Sequence, residues 1–391
     1  MQLIILLLYC SYRILLNITN VKIKTMSSYK YPVYAPSIGL KEKEYVLDCL
    51  DSTWISSKGK YVGAFEKSFA EYIKIDYATT VSNGTVAIHL ALLALGVGLG
   101  DEVIVPTLTY IASVNAIAYT GATPVFVDSL AGTWQMDPND IKKKITPQTK
   151  AILVVHLYGH PCDMSEIMHI AHDNNIFVVE DCAEAIGTKY KDQYVGTFGD
   201  IATFSFFGNK TITTGEGGMV VTNDHTLYDR AVHFKGQGLA NHREYWHDVI
   251  GYNYRMTNIC AAIGLAQLEN VEEVLKKKRQ IAQWYSNAIK GTTMTFHNED
   301  ENCFHSYWMC SVLLKESSKR DIVREYLKNN GIETRPLFYP VHTMPMYSKR
   351  YERHAIAENI GWRGINLPSY PGLNKEDVEF ITQCLLEAIK I

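Results

Sequence analysis

The stretch "SFFGNKTITTGEGG", Ser205 to Gly218, sets one lysine, Lys210, between two apolar runs. Upstream lies "DIATFSFF" (200–207) and downstream "GGMVVT" (217–222). Both read as buried strands. An ammonium group loses its hydration when enclosed, so a lysine is rarely buried without a partner. A structural lysine sits at an edge and snorkels outward. A desolvated lysine with a lowered pKa is suited to chemistry instead.

Working upstream, strands and helices alternate. "YATTVS" (77–82), "DEVIVP" (101–106), "TPVFVD" (123–128), "KAILVVHLYG" (150–159) and "IFVVEDC" (176–182) read as strands. "GTVAIHLALLAL" (84–95), "TYIASVNAIAYTG" (109–121) and "MSEIMHIAHDNN" (164–175) read as helices between them. The pattern predicts an α/β fold with a mostly parallel sheet covered on both faces. Downstream the order changes. One long helix is expected from Asn258 to about Lys290, then strands over 305–314 and 332–340, a helix over 319–331, and a closing amphipathic helix over 374–389 capped by Asn374. The predicted organisation is a large α/β domain over 26–275 and a smaller α+β domain over 276–391.

The chain has 391 residues, 47% of them apolar, enough for a large core. Its 38 basic and 41 acidic residues leave a net charge of −3, which gives no electrostatic case for nucleic acid. Eight cysteines occur without a C-x-x-C pair, which suits a reducing, cytoplasmic setting and gives no zinc signature, so no metal is expected. Residues 1–25 open apolar, but Arg13 interrupts the run before a membrane span is reached. They read as an extension of uncertain role upstream of a second start at Met26. Sequons at Asn17, Asn83 and Asn209 are weak signals.

Ligands of open α/β sheets bind beyond the carboxyl ends of the strands. After the first strand comes "SNGT" (82–85), opening a helix. Free N–H groups there suit an anion, with Gly84 permitting close approach and Thr85 adding a hydroxyl. Alone, it reads equally well as an ordinary cap. "PTLTY" (106–110) offers Tyr110 as a stacking platform, although a lone tyrosine is more often core. Asp181, in "EDCAEAIG" (180–187), follows an apolar run and requires a partner there, unless it caps a helix. Ser205 and Lys210 complete the set. A phosphate cradle, a flat stacker, a buried aspartate and a desolvated lysine are what pyridoxal 5′-phosphate requires.

The chain resembles the DegT/DnrJ-type aminotransferases of nucleotide sugars, within the aspartate-aminotransferase fold (fold type I of the pyridoxal-phosphate enzymes). The likeness covers about residues 30–391 and rests on "SNGTVAIHLAL", "PTLTYIAS", "EDCAEAIG", "SFFGNKTITTGEGG" and "GYNYRMTNICAAIGLAQL" (251–268), in family order. Within the family it is most similar to the perosamine and viosamine type, through "YPVYAPSIG" and "GIETRPLFYPVH" (331–342). That resemblance implies transfer of an amino group from L-glutamate to C4 of a nucleotide-linked 4-keto-6-deoxyhexose. It makes Lys210 the Schiff-base lysine, Asp181 the partner of the pyridine nitrogen, Tyr110 the aromatic over the ring, and Gly84, Thr85 and Ser205 phosphate contacts. Glu184 occupies a cofactor-flanking position that varies among members. Asn253 matches a residue sent to the neighbouring subunit's phosphate, and Arg255 a substrate contact, which together imply a homodimer with shared sites. His342 is a candidate contact to the sugar or pyrophosphate.

Other readings stand beside this one. "GVGLG" (96–100) superficially matches a dinucleotide fingerprint, but it follows a helix and precedes a strand, the wrong order. The related dehydratases replace the lysine by histidine, and this chain has Lys210. A non-catalytic cofactor-binding regulator and a C3 aminotransferase remain as alternatives.

Overall fold

The computed structural model describes residues 29–348 and 351–391. The extension over 1–25 lies outside them. The apolar runs around Lys210 form β6 (Ile201–Ser205) and β7 (Gly218–Thr222), each buried along its whole length. They join β1 (Tyr77–Val81), β2 (Glu102–Pro106), β3 (Thr123–Val127), β4 (Thr149–Val155) and β5 (Phe177–Asp181) in one sheet of order β1-β7-β6-β5-β4-β2-β3. Only β7 runs against its neighbours. The other six strands therefore share one carboxyl edge, as the alternating pattern required.

Alternate residues of each strand feed opposite cores. Val103, Val105, Leu153, Val179 and Val220 pack with helices α3 (Gly84–Ala94), α4 (Ile111–Tyr119) and α7 (His225–Lys235). On the other face, Ala202, Phe204, Met219 and Val221 meet Phe65 and Phe69 of α2 (Lys60–Ile73) and Ala261 and Ala262 of α8 (Asn258–Leu268). Farther along that face, Ile104, Ile152 and Val178 meet Ile167 and Ile170 of α6 (Met164–Asn174). Phe65 and Phe69 are wholly buried, and each contributes about 1.5–3 kcal/mol by leaving water.

The long helix expected from Asn258 is two helices. The first, α8, ends at Leu268, Asn270 is non-helical at φ −115° and ψ 9°, and α9 runs from Val271 to Ile289. Packing explains the break. The first helix is buried on nearly every side, whereas α9 has a single apolar stripe that must turn toward a new core. Val271 and Leu275 still belong to the core against α2, while Ile281, Ala282, Tyr285 and Ile289 enter the core of the second unit. The expected division at 275/276 thus falls inside α9.

The second unit holds an antiparallel sheet of order β8 (Thr295–Phe296), β9 (Cys310–Leu313), β11 (Gly364–Leu367), β10 (Arg335–Pro336). Helices α10 (Arg320–Asn329) and α12 (Lys375–Ala388) pack behind it. The strands expected over 305–314 and 332–340 shorten to four and two residues. Tyr31 also belongs here. It exchanges backbone hydrogen bonds with Gly331 and Glu333 at 3.0 and 2.9 Å, although the sequence placed it with the large unit. Asp128, just beyond β3, accepts from the N–H groups of Ile356 and Ala357 at 3.2 and 2.8 Å and so caps α11 (Ala355–Arg363) across the boundary.

Candidate active site

Lys210 sits in the loop between β6 and β7, which folds back on itself. Phe206 N–H bonds Gly217 O, Thr214 N–H bonds Phe206 O, and Lys210 N–H bonds Phe207 O, each at 2.9 Å. Two aromatic donors pin the loop from outside. The Tyr34 hydroxyl donates to Lys210 O at 2.8 Å, and Trp308 Nε1 donates to Asn209 O at 2.7 Å. The lysine side chain keeps 12% of its surface in solvent. Its Nζ lies 3.8 Å from Glu184 Oε1 and 4.0 Å from the centre of the Trp308 ring. A desolvated cation–π contact of this kind contributes about 2 kcal/mol to the charged form. Burial nevertheless lowers the Lys210 pKa, and Glu184 and Asp181 oppose that shift.

Asp181 ends β5 and is 4% exposed. Its Oδ2 accepts from Ser113 Oγ of α4 at 2.7 Å, and its Oδ1 from Ala183 N–H at 3.1 Å. Burial raises its pKa, against the hydrogen bonds from Ser113 and Ala183 and the field of Lys210. Beneath it lies a second buried layer. Glu180 accepts from His156 Nε2 and from the N–H groups of Gly196, Phe198 and Gly199. His156 Nδ1 accepts from Cys162 N–H. Among the described residues His156, Glu180 and Cys182 alone have metal-ligand spacing, but the carboxylate and imidazole are committed to these bonds, and the set serves as a buttress.

The stretch expected to cradle an anion opens α3. Asn83 caps α3 by accepting from Val86 N–H at 3.0 Å, and the first N–H groups of the helix have no carbonyl one turn back to bond. Gly84 touches Ser205 so closely that a Cβ at residue 84 would lie 2.7 Å from the Ser205 Cβ. Gly84, Thr85 and Ser205 are therefore neighbours. Asn209 Oδ1 and Thr211 Oγ1, on either side of Lys210, are buried without partners. Tyr110, at the start of α4, is 56% exposed with its ring 5.5 Å from Phe338.

Three expected residues lie apart from this group. Asn253 and Arg255 are exposed, and within the chain neither forms a hydrogen bond or ion pair with Lys210, Asp181 or Glu184. Their loop is held at the carboxyl end of β1, where Ser82 N–H donates to Tyr254 O at 2.8 Å. His342 is 2% exposed, with Nδ1 2.6 Å from Thr107 Oγ1 and Nε2 3.3 Å from Glu358 Oε1. It latches the second unit onto the turn that carries Tyr110. Sequence reasoning assigned no role to Ser113, Tyr34, Tyr158 and Trp308, although Ser113 and Tyr34 lie inside the quoted stretches "PTLTYIAS" and "YPVYAPSIG".

Comparison with known proteins adds the family. The model of the DegT/DnrJ/EryC1/StrS aminotransferase family matches residues 36–386. The chain belongs to this aminotransferase family. The aminotransferase is 67% identical over 356 residues to GDP-perosamine synthase of Escherichia coli O157:H7, covering 91% of this chain and 98% of that one. It is 51% identical to GDP-perosamine synthase of Vibrio cholerae, over 90% and 98%. It superposes on the PMP-form structure of Spr1654 from Streptococcus pneumoniae with a TM-score of 0.89 and 28% identity, over 93% and 98%. It is a pyridoxal-phosphate-dependent nucleotide-sugar aminotransferase, with the α/β fold its sequence predicted. The unpartnered polar atoms beside Lys210 and the open N-terminus of α3 fit that cofactor. Among the described residues no helix is long and apolar enough to cross a membrane.

Proposed function

We propose that the enzyme transfers an amino group from L-glutamate to C4 of a GDP-linked 4-keto-6-deoxyhexose, giving a 4-amino-4,6-dideoxyhexose. The observation that carries this reading is the 67% identity to a GDP-perosamine synthase along 91% of the chain. The buried lysine–aspartate pair supports it.

In this reading the N–H groups opening α3, the Thr85 hydroxyl and Ser205 Oγ hold the cofactor's phosphate. Tyr110 and Asp181 would hold its ring, Tyr110 offering a flat aromatic face and Asp181 a carboxylate for the ring nitrogen. The bound cofactor supplies a sink for the electron pair left when a C–H bond breaks. Lys210 carries the proton. Its amine, brought toward neutrality by burial, takes a proton from carbon in one half-reaction and returns one in the other.

We further propose a homodimer in which Asn253 and Arg255 reach the partner's site, which suits two exposed polar side chains on a firmly anchored loop. Free thiols at Cys49, Cys162, Cys182 and Cys310 suit the reducing cytoplasm.

The test offers glutamate with GDP-, dTDP- and UDP-linked 4-keto-6-deoxyhexoses. The GDP sugar should give 2-oxoglutarate and a 4-amino product by NMR. Borohydride should fix pyridoxal phosphate on the Lys210 peptide. A 3-amino product, preference for another base, or a label elsewhere would each refute part of the reading.

A further inference from the structure

Glu184 is held with unusual care for a residue that merely flanks a cofactor. Its Oε2 accepts from Tyr158 N–H at 2.7 Å. To present that N–H, Tyr158 adopts φ 57°, a left-handed conformation that costs a non-glycine residue on the order of a kcal/mol. Its Oε1 has one neighbour of opposite charge, the Lys210 amine at 3.8 Å. The centre of the Trp308 ring lies 4.0 Å from the same amine.

We infer that Glu184 is the proton partner of Lys210, and that the Trp308 ring holds the Lys210 ammonium near it before the proton is passed. The exchange is balanced without any other reactant. An N–H bond of the Lys210 ammonium breaks, an O–H bond forms at Glu184 Oε1, and a neutral amine and a neutral acid remain. The separation exceeds a hydrogen bond, so transfer follows a swing of Nζ about its terminal torsion toward Oε1.

The surrounding groups leave Glu184 as the available acid. Asp181, three residues away, has its oxygens on Ser113 and Ala183. The Tyr158 hydroxyl accepts from Phe338 N–H, and burial raises its pKa. The Tyr34 hydroxyl donates to Lys210 O, and burial raises its pKa also. His156 faces Glu180. Burial raises Glu184 to about 7, against the fields of Lys210 and the Tyr158 N–H, so both of its forms are populated near neutrality.

This inference rests on Lys210 as the proton carrier but not on which sugar is used. Its test begins on the apoprotein, without substrate. Amine labelling by trinitrobenzenesulfonate across pH 6–9, with the Lys210 peptide quantified by mass spectrometry, reads the amine directly. E184Q keeps an acceptor for Tyr158 N–H but removes the anion that favours the ammonium. The labelling midpoint should fall by about one pH unit or more, raising labelling below it about tenfold. In the holoenzyme, the glutamate half-reaction of E184Q should slow about tenfold at pH 7 with glutamate affinity little changed. E184D, which keeps the acid, should recover most of the rate. An unmoved labelling midpoint in an E184Q protein of normal melting temperature overturns the inference. So does a half-reaction whose pH profile superimposes on that of the parent enzyme, or an E184D protein no faster than E184Q. Failure of the sugar assay would leave all three readouts standing.

Discussion

At the scale of single residues, Asp181 shows how burial and hydrogen bonding divide the control of one charge. Burial disfavours its carboxylate, whereas Ser113 Oγ and Ala183 N–H favour it. Asp181→Asn should therefore lower turnover about 100-fold or more, the scale of removing one preorganised electrostatic group, with phosphate contacts retained. Steady-state rates beside a cofactor titration check both parts. Ser113→Ala removes a bond that favours the ionised form, so the Asp181 pKa should rise further. The acid limb of kcat/KM should then move to higher pH, and an unchanged limb would deny Ser113 that role. Lys210 and Asp181 were legible because a charged residue ending an apolar run is conspicuous in any sequence. Ser113, Tyr158 and Trp308 were not, since each looks like ordinary helix or strand until folding brings it to the lysine. His342, expected at the sugar or pyrophosphate, has its two ring nitrogens facing Thr107 and Glu358 in the chain itself.

At the scale of elements, the start of α3 depends on the absence of a side chain. Gly84→Ala would place a Cβ 2.7 Å from Ser205 Cβ and 2.9 Å from its Oγ. Either the helix or β6 must then shift, at a cost of about 1–3 kcal/mol. Cofactor affinity should fall tenfold or more, read by absorbance titration, with a lower melting temperature. Undiminished affinity would show that the cradle tolerates the displacement. The central strands were legible because continuous Val/Ile runs buried on both faces leave little ambiguity. The short strand β8 was not, and β10 was expected within 332–340 but at several times its two-residue length. Two-residue pairings such as Arg335 and Pro336 with Asn366 and Ile365 depend on their neighbour and carry no period of their own. The break at Asn270 was equally hidden, since Glu269 and Asn270 are compatible with a continuing helix and only the turn between two cores requires the interruption.

At the scale of the whole molecule, the seam between the units carries buried histidines. His160 comes from the segment after β4, and His297 and His305 come from the second unit, with ring centres 4.9–5.4 Å apart. Burial lowers the pKa of all three, His297 to about 3. An unfolded histidine binds its proton near 6.5. Above that pH neither state is protonated and the fold keeps its full stability. As pH falls from 6.5 toward 3, the unfolded state gains protons that the folded His297 refuses, so stability drops by up to about 1.4 kcal/mol per pH unit for that residue. Melting temperatures should fall steeply below pH 6.5, and less steeply in His297→Asn. Identical pH slopes would remove His297 from this account. The same scale holds the proposed assembly. Inactive Lys210→Ala and Asn253→Ala proteins, mixed under proven subunit exchange, should regain one intact site per mixed dimer, and no recovery would argue that each chain completes its own site.

The pairing of Tyr31 with Gly331 and Glu333 gives the molecule a schedule. Val33 N–H donates to Glu333 Oε2 across 300 residues, and Tyr34 ties the same segment to the carbonyl of Lys210. A ribosome adding about 5–20 residues per second needs roughly 15–60 s to cover that distance. For most of that interval the sheet is itself still being made, since its last strand ends at Thr222, and for the remainder Tyr31 and Val33 wait for Gly331 and Glu333 beside a sheet that has all seven strands. The strand-like anchor of the Tyr34 segment thus closes well after the lysine loop it touches has been made. A nascent chain released between residues 222 and 331 would carry the sheet, the aspartate and the lysine, but the segment that brings Tyr34 to the lysine loop would lack its anchors at Gly331 and Glu333.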